Sequence, residues 1–172
     1  MPKTYEIADA NTRELIEAVR GQHHPSLQSH GVTIGGLFVS SENKDGEEMP
    51  ALKHRGFPVA AQIQITSLAD RTRGVADAKL TIDRFVWARL PDASKRALLD
   101  HELAHLLIAT DKHGAPKFDD IGRPKLKIRP HDWELNGFVD VAERHGEAAM
   151  EMRALRAFRH EQLPLFCPNG LN

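Results

Sequence analysis

The stretch Leu99-Asp100-His101-Glu102-Leu103-Ala104-His105-Leu106-Leu107 decides how the rest of the chain is read. Leu99, Leu103, Leu106 and Leu107 recur at helical spacing and form a continuous apolar stripe. They predict a helix from about Ala93 to Thr110, capped by Asp92 or Ser94 and followed by Gly114 and Pro116. His101 and His105 stand four residues apart, so both imidazoles project from one face, opposite the leucines.

That spacing lets two ring nitrogens reach one zinc ion at about 2.0–2.1 Å. Glu102 sits roughly 100° round the helix from His101, close enough to touch a water held by the metal without ligating it. There it can act as general base, taking a proton from the water and returning it to a leaving amine. A chain with this many histidines and glutamates would show such a pattern by chance on the order of a few per cent of the time. Its place inside the best-patterned helix makes chance a weaker explanation still.

A hydrolytic zinc site needs a third protein ligand and an open position. His131, in Pro130-His131-Asp132-Trp133, is the expected third ligand. It follows an extended segment and precedes a helical one, a junction able to return a side chain across the first helix. Pro130 restricts the backbone before it, and Asp132 is positioned to cap the next helix. His113 and then Glu134 are the rival ligands. Asp83, Asp100, Asp132 and Asp140 are the acids best placed to accept a hydrogen bond from a ligating imidazole. Arg129 and His113 are candidate donors to a developing oxyanion, whereas Tyr5 is remote in sequence.

Upstream, residues 10–20 read as an amphipathic helix, and residues 22–31 as a loop whose His23, His24 and His30 are solvated. Strands are expected at residues 32–40, at Val59 to Ser67, where Val59, Ala61, Ile63 and Ile65 alternate with polar or small positions, and at Ala78 to Asp83. A basic turn around Arg71 to Gly74 separates the last two, and a short helix runs through Phe85, Val86 and Trp87. Downstream, residues 119–130 read as a hairpin or extended loop. A helix follows from Asp132, with Trp133, Phe138 and Val141 on one side, and breaks at Gly146. A last helix covers residues 147–163 and buries Ala148, Met152, Leu155 and Phe158.

The fold class expected is therefore α+β. A small, mostly antiparallel sheet of three or four strands is expected to pack on helices that include the His101–His105 helix. The whole chain of 172 residues reads as one domain, with its core at about 59–146.

Composition narrows the function classes. With 41% hydrophobic and 27% charged residues and a formal net charge of -1, the chain is ordinary globular protein without a whole-molecule drive toward nucleic acid or anionic membrane. No apolar run reaches the roughly 18 residues of a membrane span, and the N-terminus lacks the apolar stretch of a secretion signal. Cys167 is the single cysteine, which excludes an internal disulfide framework. A cytoplasmic location is expected. Arg123, Lys125, Lys127 and Arg129 could form a basic lip for nucleic acid phosphates, but an edge strand guarded by lysines is the simpler reading.

The order of a strand ending in Leu80-Thr81-Ile82-Asp83, then His101-Glu102-Leu103-Ala104-His105, then an extended insertion and His131-Asp132-Trp133 with a later Gly146 resembles the SprT-like (Spartan-type) zinc metallopeptidases. It is closer to the metallopeptidases of bacteriophage and prophage genomes, which pair the zinc motif with an Arg-Pro-His-Asp element, here Arg129-Pro130-His131-Asp132. The resemblance covers about Val59 to Gly146. It implies a minimal zincin-like domain, one catalytic zinc, His131 as third ligand, a protein or peptide substrate and, for a phage-encoded chain, the bacterial host cytoplasm. In SprT-like chains a glycine usually follows the third histidine, the interval before it is shorter, and many members carry a Cys-rich zinc ribbon. The expectation from residues and resemblance together is a zinc-dependent metallopeptidase with Glu102 as base. The alternative is a metal-stabilised binding or regulatory module without turnover.

Overall fold

A computed structural model describes residues 2–54, 56–132, 137–152 and 156. The elements in chain order begin with β1 (Lys3–Ile7), α1 (Ala10–His23), α2 (Pro25–Ser29) and β2 (Ile34–Glu42). Three two-residue strands follow, β3 (Glu48–Met49), β4 (Lys53–His54) and β5 (Phe57–Pro58), then β6 (Ala61–Ile65), α3 (Leu68–Thr72), β7 (Ala78–Asp83) and α4 (Arg84–Trp87). The site-bearing part comprises α5 (Asp92–Ala104), β8 (Leu106–Ile108), β9 (Leu126–Ile128) and α6 (Val139–His145), with a 3-10 turn at Gly146–Ala148.

The main sheet runs β1-β2-β7-β6, with β3 paired to the end of β2. It is mixed: β1–β2, β2–β3 and β6–β7 are antiparallel, and the central β2–β7 pairing is parallel. The alternation that marks β7 in the sequence places Ala78, Leu80 and Ile82 in the core beneath the helices, where they are fully buried. Ile16 and Val19 of α1 and Leu98, Leu99 and Leu103 of α5 complete that core. Gly36 in β2 permits the closest approach of α1, because a Cβ there would sit 2.9 Å from Ile16 Cδ1 and 3.2 Å from Ala8 Cβ. Asp9 starts α1 by accepting a hydrogen bond from Thr12 N at 2.8 Å.

Several local expectations are corrected by long-range contacts. The central helix stops at Ala104, not Thr110, and neither Asp92 nor Ser94 is its cap: Pro91 holds that position and Asp92 opens the first turn. The helix ends because the main chain finds another partner. The His105 carbonyl accepts from Arg129 N at 2.7 Å, and Leu106–Ile108 pairs antiparallel with Leu126–Ile128. Leu107 consequently leaves the apolar stripe and is 38% exposed.

Residues 22–31 are largely helical rather than loop, and the basic turn begins inside α3, which is capped by Ser67 and ends at Thr72. Arg71 is buried there, bonded to Asp77, to Asp119 at 2.8 Å and to the Pro124 carbonyl at 3.0 Å, so it ties the 109–125 excursion to the sheet. The helix expected from Asp132 begins at Val139. Its Trp133 and Glu134, like Leu155, Phe158 and Cys167 further on, lie outside the described residues. No helix among the described residues is long and apolar enough to cross a membrane.

Candidate metal centre

α5 is buried on more than one side, and this sets the chemistry of its polar residues. Asp100 and Glu102 lie inside with Leu98, Leu99 and Leu103, while His101 and His105 open onto a cleft of about 670 Å³. His131 comes to the same place from the end of β9. The ligand atoms of His101, His105 and His131 all lie within 4.8 Å of one another, and the Nε2 atoms of His101 and His131 are 3.2 Å apart.

Their outer nitrogens are held from behind. His101 Nδ1 donates to Glu151 Oε1 at 2.6 Å, and His105 Nδ1 donates to the Arg129 carbonyl at 2.8 Å. With Nδ1 committed as donor, the neutral ring presents Nε2 as a lone-pair donor toward the centre. Phe138, fully buried, forms the floor, with its ring 5.2, 4.8 and 5.3 Å from the rings of His101, His105 and His131. Asp132 fixes the third ring's backbone by accepting from Arg129 at 2.8 Å and from Val139 N at 3.0 Å, although the N-cap position of α6 belongs to Phe138 and not to Asp132. Those two bonds hold the Asp132 carboxyl below its usual pKa, the Val139 N–H most of all.

Charge in the site follows from burial and neighbours. Burial pushes the Glu102 carboxyl up to about 7, against the opposing pull of His101 and of the Ile63 N–H directed at it. Burial also works against a charged His101. The hydrogen bond to Glu151 and the nearby carboxylates outweigh it and raise the pKa. Glu151 is lowered in turn, its own burial overcome chiefly by His101. His105 is lowered by burial, which favours the neutral ring.

Glu151 was not among the acids singled out in the sequence. The signal available was an acid at the helical spacing of Ala148 and Leu155, on a side otherwise apolar. The four acids that were singled out have other duties: Asp83 accepts from Ala51 N and Leu52 N, Asp132 acts as above, and Asp140 pairs with Arg144. Asp100 is the hub of a second group. Its carboxylate takes His24 and His145 Nε2 at 2.8 Å each and Arg144 at 2.9 and 3.0 Å.

His23 also lies close enough to complete a metal-sized set with Asp100 and His145. Each Asp100 oxygen, however, already accepts two hydrogen bonds, and the Arg144 guanidinium supplies the positive charge that balances the carboxylate. This hub pins α1 and α6 to α5 beside His101. His24 thus bonds Asp100, and the His23 ring packs edge-on against His145 at 5.6 Å, so neither is a solvated loop residue. His113 sits on an exposed turn with its N–H on Asp111, away from the group. Arg129 is committed to Asp132 and lies over the Phe138 ring, so neither proposed oxyanion donor lines the cleft. His54 does.

The family described as "Putative phage metallopeptidase" matches residues 3–159. The chain belongs to this family. The match reaches back through β1 and α1, so the metallopeptidase family covers the first fifty residues that the motifs alone left unplaced. Family membership indicates a metal-dependent peptidase, and the clustered histidines are side chains that could bind its metal. No curated protein and no solved structure matches the chain.

Proposed function

We propose that the chain is a zinc-dependent peptidase, with His101, His105 and His131 as metal ligands and Glu102 as general base. The observation that carries this reading is the convergence of three imidazoles, two held from behind through Nδ1, in a cleft that a buried glutamate also lines. The donor set fits zinc, which favours neutral imidazole and a fourth open position in hydrolytic sites. When bound, the ion would supply the Lewis acidity that makes a water nucleophilic near neutral pH.

The chain's own residues supply the rest. Glu102 takes the proton as the water adds to the peptide carbonyl. It then delivers that proton to the departing amine nitrogen as the C–N bond breaks, so the base ends as it began. Burial keeps bulk water from competing for that proton. The substrate is positioned by β6, the sheet's edge: no strand pairs with its outer side among the described residues. Asp83 N bonds the Ala60 carbonyl and Thr66 N bonds the Asp77 carbonyl, so even-numbered residues face β7. The main-chain groups of Ala61 and Ile63 point outward, where an extended peptide can pair with Ala61.

Metal content and turnover test this together. The wild-type protein is expected to hold about one equivalent of zinc, lost in His131→Ala and kept in His113→Ala. Glu102→Gln should keep the metal and lose about 10²–10⁴-fold in rate on a labelled unfolded protein. Metal retained with equal turnover in Glu102→Gln would refute the assigned base. A zinc-loaded wild type without turnover would leave a metal-stabilised binding module.

A further inference from the structure

We propose that the cleft selects a bulky aliphatic or aromatic side chain on a residue beside the scissile bond. This rests on the peptidase reading above and adds its substrate class. Beyond the histidines and the two glutamates, the walls are mainly Val59, Ala61, Ile63, Leu98, Ile128 and Met150. Leu98 and Ile63 form the inner part, 1% and 7% exposed, whereas Ile128 and Met150 at the mouth remain 49% and 39% exposed. The apolar wall therefore continues from core to rim. Its rim residues leave apolar surface in water that a substrate side chain would cover.

The volume, about 670 Å³, is far more than a metal and a water need and falls in the range of ligand pockets. Charged side chains are poorly served. Among the described residues, the one ionisable lining group outside the histidine and glutamate set is His54, on an exposed strand. An ionised substrate side chain placed deeper would lose its hydration without a dedicated partner. The edge of β6 adds geometry. A peptide paired at Ala61 runs beside Ile63, so its alternate side chains meet the same apolar wall in which Glu102 is set.

Relative to alanine, a leucine adds three carbons to that wall, worth on the order of 50-fold in kcat/KM when fully covered. The test uses zinc-loaded protein and a mixture of unstructured peptides, with cleavage positions read by mass spectrometry. It is followed by a matched peptide pair differing only as leucine or alanine at the selected position. Enrichment of Leu, Ile, Phe or Met next to the cut, with at least tenfold between the pair, is expected. Ile128→Glu with metal retained should shrink that ratio several-fold.

Cleavage indifferent to the flanking residue, or favouring charged ones, overturns the proposal while leaving the peptidase reading intact. Where no peptide is cut, the peptidase reading fails, and titration of two peptides differing only as leucine or alanine at one central position into Glu102→Gln protein decides the cleft's preference. Tighter binding of the leucine peptide supports the proposal, and equal binding overturns it.

Discussion

Replacing Glu151 by alanine removes the acceptor that orients His101 without touching any proposed ligand. In the intact site Glu151 Oε1 receives His101 Nδ1 at 2.6 Å and Phe138 N at 3.3 Å, behind the ring that faces the cleft. Without it the imidazole is free to rotate or to carry its proton on Nε2, and its basicity falls. Loss of such a partner lowers metal affinity by about 10–100-fold, equivalent to about 1.4–2.8 kcal/mol of binding free energy.

Glu151→Gln keeps an acceptor oxygen and loses only the charge, so it should lie below tenfold. An independent approach comes from the other side of the contact. A Cβ added at Gly137 would fall on the Glu151 side chain, so Gly137→Ala should displace it and track Glu151→Ala in affinity. The assay is zinc competition against a chromogenic chelator, with circular dichroism and melting as controls for folding. Unchanged zinc affinity in Glu151→Ala, alongside lost binding in His131→Ala, would refute the reasoning.

Other outcomes rest on the same contacts. Asp100→Ala strands Arg144, His24 and His145 around a fully buried position and should cost about 3–5 kcal/mol. The melting temperature should fall by about 10 °C, read by calorimetry. Asp9→Ala removes the cap of α1 and should cost about 0.5–1 kcal/mol at pH 7 in urea denaturation. Because the Thr12 N–H lowers the Asp9 pKa in the folded state, this contribution is present above 3.8 and is lost as pH falls through the lower folded value. The gap between wild type and Asp9→Asn should therefore close in acid. Gly36→Val crowds Ile16 and Ala8 and should cost about 1–3 kcal/mol, seen as an earlier urea midpoint.

What could be read from sequence was what local spacing determines. The strand expected at Ala78 to Asp83 has those bounds, and the four-residue interval between His101 and His105 is enough to bring their rings to 5.2 Å. What escaped depends on residues far along the chain. The end of α5 is set by β9, which captures the main chain just where the helical stripe suggests continuation. The parallel β2–β7 pairing leaves no local trace, since strand direction is set by which distant segment lies alongside. His23 and His24 read as loop residues because their partners, His145 and Asp100, belong to other helices. Glu151 looks like one acid among many until Gly137 is seen to make room for it. The basic run illustrates the same point: Arg123 is drawn inward to Asp77 and Arg129 to Asp132, leaving Lys125 and Lys127 as its exposed part.

The distances in sequence across these bonds bear on when the protein first becomes competent during synthesis. His101 waits for an acceptor fifty residues further on, and Asp100 joins the histidine that caps the end of the first helix to an arginine forty-four residues beyond itself. A chain that has emerged from the ribosome only as far as the two-histidine helix lacks both His131 and Glu151, so the proposed centre would still be incomplete. The nascent chain, rich in accessible peptide bonds, would not meet its own assembled centre until synthesis had passed residue 151.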